Sequence, residues 1–390
     1  MTIQHEKEQE VLRTLARQSL SQNDALRLKK SVGEAIQWPF ILPHAIEQGI
    51  APLLFYHFKS LALLESIPIY ARKVFSRLYS ETMLLNRHMA AVLYELEKAL
   101  EGSEIQVIVF KGAALLSTVY REIALRPMED IDLIVRPTQN DTVQAILSKQ
   151  GFVPDPLYPM TFRRGIITVD VHNDFLSTQR IRSRRNIINV HMDDVWARSI
   201  PLNENLHHIF RLSPYDNLLA LSFHILKHQF SRLIWFADIR ESVNADNEIF
   251  DWIEFSEYIT DARANKMVLY TLLLAQHLVG MDVPDFVLKH LGTDTLSSME
   301  HTILRLRLAE ADPGTAIDLL WICQIQGWVK RMQFIYENIF PRQEIMNQIF
   351  PDSSLTVHTF LRRAISTGSR VFIDGISACK FVAKGGLPPL

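Results

Sequence analysis

The chain of 390 residues sets 41 Lys+Arg against 43 Asp+Glu for a formal charge of −2, and it is 48 % hydrophobic and 22 % charged. These figures exclude a disordered or collagen-like chain and a globally basic nucleic-acid binder, and at roughly 100–200 residues per domain they leave room for two or three packed units. With only 14 glycines, about half the usual ~7 %, the chain suits long helices better than a turn-rich all-β fold.

The opening, MTIQHEKEQEVLRTLARQ, lacks the apolar stretch of a secretory leader, and no run of about 18 apolar residues occurs anywhere. A cytoplasmic chain without a membrane span is the expectation. Cys323 and Cys379 have neither a CxxC nor a metal-ligand spacing, so no disulfide framework or zinc module is indicated.

From Ala51 to Leu100 apolar residues recur at helical spacing, with Leu85, Met89, Val92, Leu93, Leu96 and Leu100 set between Glu95, Glu97 and Lys98. Residues 1–102 are therefore expected to form an N-terminal helical region. The pattern then changes. Ile105–Phe110 is a short β-branched run closed by Lys111-Gly112, and Ala113–Tyr120 reads as helix. Ile131–Val135 is a second strand with Asp130 and Asp132 at its start, followed by a helix over Thr138–Gln150 that Gly151 closes. Met160–Arg164 and Ile166–His172 read as two strands joined at Gly165, the second alternating Ile167, Val169 and Val171 with Thr168, Asp170 and His172. These elements define an α/β core over 103–205. From Pro214 helical periodicity returns, as in Leu219, Phe223, Leu226 and Phe230, and continues to about Phe372, with a loose tail from Lys384. A C-terminal helical domain over 206–390 follows. No fixed-period repeat appears.

On a strand, residues i and i+2 share a face, so Asp130 and Asp132 present two carboxylates side by side. Like charges so placed repel, unless a divalent cation sits between them; hard oxygen ligands suit Mg²⁺, which also takes phosphate oxygens. Asp170 is a third candidate from a neighbouring strand, and three such carboxylates can hold two metals. A lone aspartate-x-aspartate is more often a solvated strand end. Here it follows the Lys111-Gly112 turn, where backbone N–H groups and a lysine favour an anion and glycine admits a phosphate to the backbone.

Other residues have both a functional and a plain structural reading. Arg126, fixed by Pro127 ahead of the aspartates, either reaches a phosphate or pairs with Glu129 or Glu122. His172, on the face of Asp170, either orients that carboxylate or contacts a nucleotide, or is an ordinary hydrogen-bonded histidine. His224, Lys227 and His228 lie at i, i+3 and i+4 and form a basic face over a triphosphate, or a polar structural face; the acidic helper of a zinc helix is missing. Asp238 has Arg232 or Arg240 as candidate partners. The run Arg180, Arg182, Arg184, Arg185 reads as a solvated loop cluster, with an acidic substrate or departing pyrophosphate as the alternative.

The stretch VIVFKGAALLSTVYREIALRPMEDIDLIVRP, followed by ITVDVH, resembles the uncharacterised nucleotidyltransferase family of the polymerase-β-type superfamily, which reads lysine-glycine, arginine-proline, aspartate-x-aspartate, then a strand ending aspartate-x-histidine. The likeness extends more loosely through DNLLALSFHILKHQFSRLIWFADI to IYENIFP, over about residues 50–360. It implies an α+β, mostly α fold, with a nucleotidyltransferase-like mixed-sheet core flanked by helical regions. It also implies catalytic, metal-holding aspartates at Asp130, Asp132 and Asp170, a divalent metal (Mg²⁺ or Mn²⁺) and a nucleoside triphosphate donor. The usual glycine-serine turn of the superfamily is replaced here by Lys111-Gly112-Ala113, and sixteen residues, Ala114 to Glu129, separate it from Asp130.

The expected activity is transfer of a nucleoside monophosphate, most simply AMP from ATP, to a hydroxyl or phosphate acceptor on a small molecule or peptide, with release of pyrophosphate. Lys111, Gly112, Arg126, His172, His224, Lys227 and His228 are the expected nucleotide contacts. The neutral charge speaks against a duplex nucleic acid as acceptor. A kinase-like or polyphosphate-adding activity at the same metals, or a non-catalytic nucleotide-sensing helical adaptor, are the alternative readings.

Overall fold

A computed structural model describes residues 5–33, 36–178, 181–309 and 314–349. Arg180, Cys379, the helical periodicity near Phe372 and the tail from Lys384 lie outside the described residues. Cys323 is half-buried and free.

Five helices come first: α1 (Glu6–Leu15), α2 (Gln22–Gly33), α3 (Trp38–Glu47), α4 (Ala51–Ser60) and α5 (Ile69–Leu100). The mixed section follows as β1 (Val107–Phe110), α6 (Gly112–Thr118), β2 (Asp130–Ile134), α7 (Asn140–Lys149), β3 (Val153–Pro154), β4 (Thr161–Arg164), β5 (Ile167–His172), α8 (Met192–Arg198), β6 (Ile200–Pro201) and β7 (Ile209–Arg211). Helices then resume as α9 (Pro214–Lys227), α10 (Leu233–Ala245), α11 (Trp252–Asp261), α12 (Asn265–Val279), α13 (Asp285–His290), α14 (Ser298–Leu308), α15 (Asp318–Gln324), α16 (Trp328–Ile339) and α17 (Gln343–Ile349). The fold is α+β and mostly α. No described helix is long and apolar enough to cross a membrane.

The strands form one mixed sheet in the order β3-β4-β5-β2-β1-β7-β6. β1 runs antiparallel to β2 and parallel to β7, and β2 runs parallel to β5. The β4–β5 hairpin turns at Gly165, whose φ of +59° favours a residue without a Cβ. β3, β6 and β7 were not expected; β7 lies past residue 205, yet it is the inner neighbour of β1. Glu97 on α5 holds it there. Although the helical pattern places Glu97 among solvated residues, it is buried, and its carboxylate accepts the His207 N–H at 2.8 Å and the His208 N–H at 3.0 Å.

The two-residue period of the strands divides the sheet into two faces. Val107, Val109, Ile131, Leu133, Val169 and Val171 point one way and pack with Met89, Val92, Leu93, Leu96 and Leu100 of α5 and Val143 and Leu147 of α7. Each such side chain contributes roughly 1.5–3 kcal/mol by leaving water. Ile108, Phe110 and Ile134 point the other way, into a larger core shared with α4, α9, α10 and α12. Asp130, Asp132, Asp170 and His172 belong to this second face by the same alternation.

Helix α9, which crosses above that face, starts where Ser213 precedes Pro214: the serine hydroxyl accepts the Asp216 N–H at 3.2 Å, and proline needs no N–H partner at the first helical position.

Candidate active site

Parallel pairing of β2 with β5 sets Asp132 opposite Asp170, with Asp130 opposite Thr168 and Ile134 opposite His172. Asp132 is 3 % exposed. Its Oδ1 accepts from Lys111 Nζ at 2.6 Å and meets His172 Nε2 at 2.9 Å. Burial alone raises the pKa of such a carboxyl; the Lys111 charge and the His172 hydrogen bond outweigh it and hold Asp132 well below the ordinary carboxylate range. Asp130 moves in the opposite direction. Burial, then the Asp132 charge beside it, pushes it up to about 7, against the pull of Lys111. The two carboxylates thus have opposite protonation preferences.

One oxygen stands apart. Asp170 Oδ1 is buried and has no hydrogen-bond partner among the described residues. Asp132, Asp170 and His172 each offer a ligand atom, all within 4.8 Å of one another. Two oxygens and a nitrogen at that spread, one of the oxygens with no partner in the protein, fit a divalent cation. Asp130 shares the face but stands outside this trio, and His172, expected as a nucleotide contact, stands inside it.

A family described as uncharacterised nucleotidyltransferase matches residues 34–280, more than half of the chain. The chain belongs to this nucleotidyltransferase family. No curated protein and no solved structure gives a match. The match runs from the segment ahead of α3 to the end of α12, so α13–α17 lie beyond it, although the resemblance read from the sequence extends to about residue 360.

In this chain the lysine-glycine turn has its own geometry. The residue with positive φ is Lys111, at φ 54° and ψ −138°, and not Gly112, which already belongs to α6. A non-glycine residue there costs of order 1–3 kcal/mol. The surroundings fix it: Lys111 O accepts the Leu115 N–H at 3.1 Å, while its ammonium lies 4.7 Å from the Phe110 ring centroid and bonds Asp132. Gly112 is needed for a different reason. A Cβ there would sit 2.4 Å from Arg126 Nη1, so glycine makes room for a guanidinium of the protein itself.

Arg126 is buried and pairs with neither Glu129 nor Glu122. Its Nη2 lies 2.8 Å from Asp238 Oδ2 on α10, and Tyr120 donates to Asp238 Oδ1 at 2.7 Å. Glu129 instead meets Arg232 at 3.7 Å, Glu122 accepts from the Tyr79 hydroxyl, and Arg240 pairs with Glu241. The partner of Asp238 is therefore Arg126, and neither Arg232 nor Arg240. Asn86 of α5 supports the long segment ahead of Asp130 by donating to Ile123 O at 2.6 Å and Arg126 O at 2.9 Å.

Helix α9 brings His224, Lys227 and His228 to the site face. The two imidazoles lie 4.6 Å apart, at 4.9 and 5.3 Å from the Trp235 ring. Burial, then the charges of Lys111 and His228, hold His224 well below the usual imidazole range, so near pH 7 it is neutral. The cation this helix offers is Lys227, which lines a cleft of about 430 Å³ with Asp170, His172, Tyr158, Thr161 and Glu344.

The sequence reading missed Tyr120, Asn86, Trp235 and the α17 residues. Tyr120 and Asn86 carry no spacing signal because their partners lie far away in the chain, whereas Trp235 meets His224 and His228 across the turn between α9 and α10, which helical spacing within one helix does not show. The run Arg182, Arg184, Arg185 is also not one solvated cluster: it forms a 3₁₀ turn over Arg182–Asn186 in which Arg184 is buried.

Proposed function

We propose that the chain transfers a nucleoside monophosphate, AMP from ATP, to a hydroxyl or phosphate acceptor on a small molecule or peptide, with release of pyrophosphate. The observation that carries this reading is the in-register placement of Asp132 beside Asp170, with His172 and an unpartnered Asp170 oxygen. Asp132 and Asp170, with Asp130 at the edge, would hold Mg²⁺ or Mn²⁺. The cation, when bound, supplies neutralisation of charge on the transferred phosphoryl group and its leaving oxygens.

The chain's own residues do the rest. Asp170 takes the acceptor's proton as the acceptor oxygen attacks the α-phosphorus. The bond from that phosphorus to the bridging oxygen breaks, and pyrophosphate carries away the electron pair. Lys111 leaves Asp132 for a phosphate oxygen, with Lys227 as a second cation from above, and Gly112 keeps the turn close to Arg126. Arg126, engaged by Asp238, sets the loop ahead of Asp130. His172 orients Asp132, while neutral His224 and His228 at the rim, beside Trp235, offer a wall to the nucleotide. Positioning lowers most of the barrier.

The test is a thermal-shift titration with each nucleoside triphosphate, with and without Mg²⁺ or Mn²⁺, on the native chain and on Asp132→Asn. A ligand at ~100 times its Kd adds roughly 2.7 kcal/mol of stability. We expect metal-dependent stabilisation by ATP in the native chain and none in the variant, whose transfer rate falls at least ~10³-fold, about 4 kcal/mol of barrier. Full activity in Asp132→Asn removes the assignment. Release of ADP with a phosphorylated acceptor would indicate the kinase-like alternative, and stabilisation without turnover on any acceptor the nucleotide-sensing adaptor.

A further inference from the structure

A second concavity adjoins the cleft just described. In the 3₁₀ turn Arg182–Asn186, side chains three apart eclipse one another, so Arg182 and Arg185 project together. The turn is anchored. Arg184 points inward, with its guanidinium 5.3 Å from the Phe223 ring and 5.8 Å from the Trp321 ring, and the Ser183 N–H donates to Glu337 of α16 at 2.8 Å. Arg342, just ahead of α17, comes from the opposite side. The three guanidiniums line one cleft of about 450 Å³ with Thr178 and Glu344. Glu344 lies 3.7 Å from Arg342, whose charge also acts on Glu337 of α16, so Arg342 is already engaged by carboxylates. Arg182 and Arg185 have no ion-pair partner among the described residues.

Arg182 and Arg185, projecting together without a carboxylate between them, repel unless an anion joins them, and the guanidinium fork matches phosphate and carboxylate oxygens two at a time. Glu344 also lines the cleft that holds Asp170, so the two hollows share a wall. We propose that Arg182 and Arg185, in the cleft that Arg342 also lines, form a second anion-binding site, which holds a phosphate or carboxylate group of the acceptor while its reactive oxygen reaches Asp170. The acceptor is then an anionic molecule. Its role as acceptor rests on the nucleotidyl-transfer reading; the anion site itself does not.

The test is calorimetric titration of the full chain at low ionic strength in EDTA, with inorganic pyrophosphate and, separately, succinate, to distinguish a phosphate-bearing from a carboxylate-bearing group. The native chain and Asp132→Asn are expected to bind at least one of the two, and Arg182→Gln/Arg185→Gln to bind it at least tenfold more weakly. Arg182→Lys/Arg185→Lys, which keeps the charge and loses the fork, should fall between them. Unchanged binding in the glutamine variant, or binding of neither anion by the native chain, overturns the site. ATP with Mg²⁺ should stabilise the glutamine variant as it does the native chain; loss of that shift assigns the arginines to the donor and overturns the acceptor role. Anion binding in a native chain that responds to no triphosphate retains the site and removes the proposed function, so the two failures are distinguishable.

Discussion

On the face of the sheet covered by α5 and α7, Leu133 and Val169 sit among aliphatic neighbours with nothing left unpaired; one residue along each strand, Asp132 and Asp170 stand on the opposite face with three carboxylates crowded together and one oxygen unpartnered. The same two strands therefore serve two ends. One side is packed for stability, and the other keeps charges that a fold alone has no use for. The difference teaches where to expect mutations to damage structure and where they should damage chemistry.

The largest structural effect should come from the buried, fully satisfied Arg126–Asp238 pair near the site. Asp238→Ala leaves Arg126 buried without its partner and should cost ~3–5 kcal/mol in urea unfolding, while Arg126→Met combined with Asp238→Leu recovers much of that. Equal stability of Asp238→Ala and the native chain would remove the distinction between satisfied and unsatisfied charge. Next comes the covered face. Leu133→Ala should cost ~2–5 kcal/mol. Asp170→Asn, across the sheet, should hold or raise the melting temperature while abolishing transfer, because it removes a like charge from beside Asp130 and Asp132. A drop comparable to that of Leu133→Ala would make the two faces equivalent.

The smallest effect is one of pH. The folded pKa of Asp130 is raised to about 7 from an ordinary 3.8, so between those values the native state binds more protons than the unfolded state and stability rises as pH falls. In EDTA the stability of the native chain relative to Asp130→Asn should therefore rise from pH 8 toward pH 5. His224 and His228, whose imidazoles are held below their ordinary range, lower the stability of both chains alike as they charge, and a saturating divalent cation should oppose the Asp130 difference. A difference between the native chain and Asp130→Asn that does not change over that range would place the Asp130 carboxyl in an ordinary environment.

Much of this site is legible in the sequence, since alternation along Ile167–His172 and Asp130–Ile134 puts the aspartates and His172 on one side of their strands. Periodicity cannot supply which residue of one strand lies opposite which residue of the other, and that register is what brings Asp132 to Asp170. β7 was missed because three residues show no alternation. The Arg126–Asp238 pair spans 112 positions and leaves no local trace. At the lysine-glycine turn the usual inference assigns the unusual backbone to glycine; the side chain of Arg126 claims the space at Gly112, and Lys111 takes the positive φ instead.

The pairing of Lys111 with Asp132 bears on how the chain matures. A protein whose metal ligands lack internal counter-charges cannot finish folding until the ion arrives, as in a zinc finger. Here the deepest carboxylate is already neutralised by an ammonium from the adjoining strand end and steadied by an imidazole. On the proposed function, synthesis and loading would thereby be separated in time: the polypeptide could reach its native state without the ion, wait in a complete but idle form, and begin work when cation and nucleotide arrive, with nothing to refold.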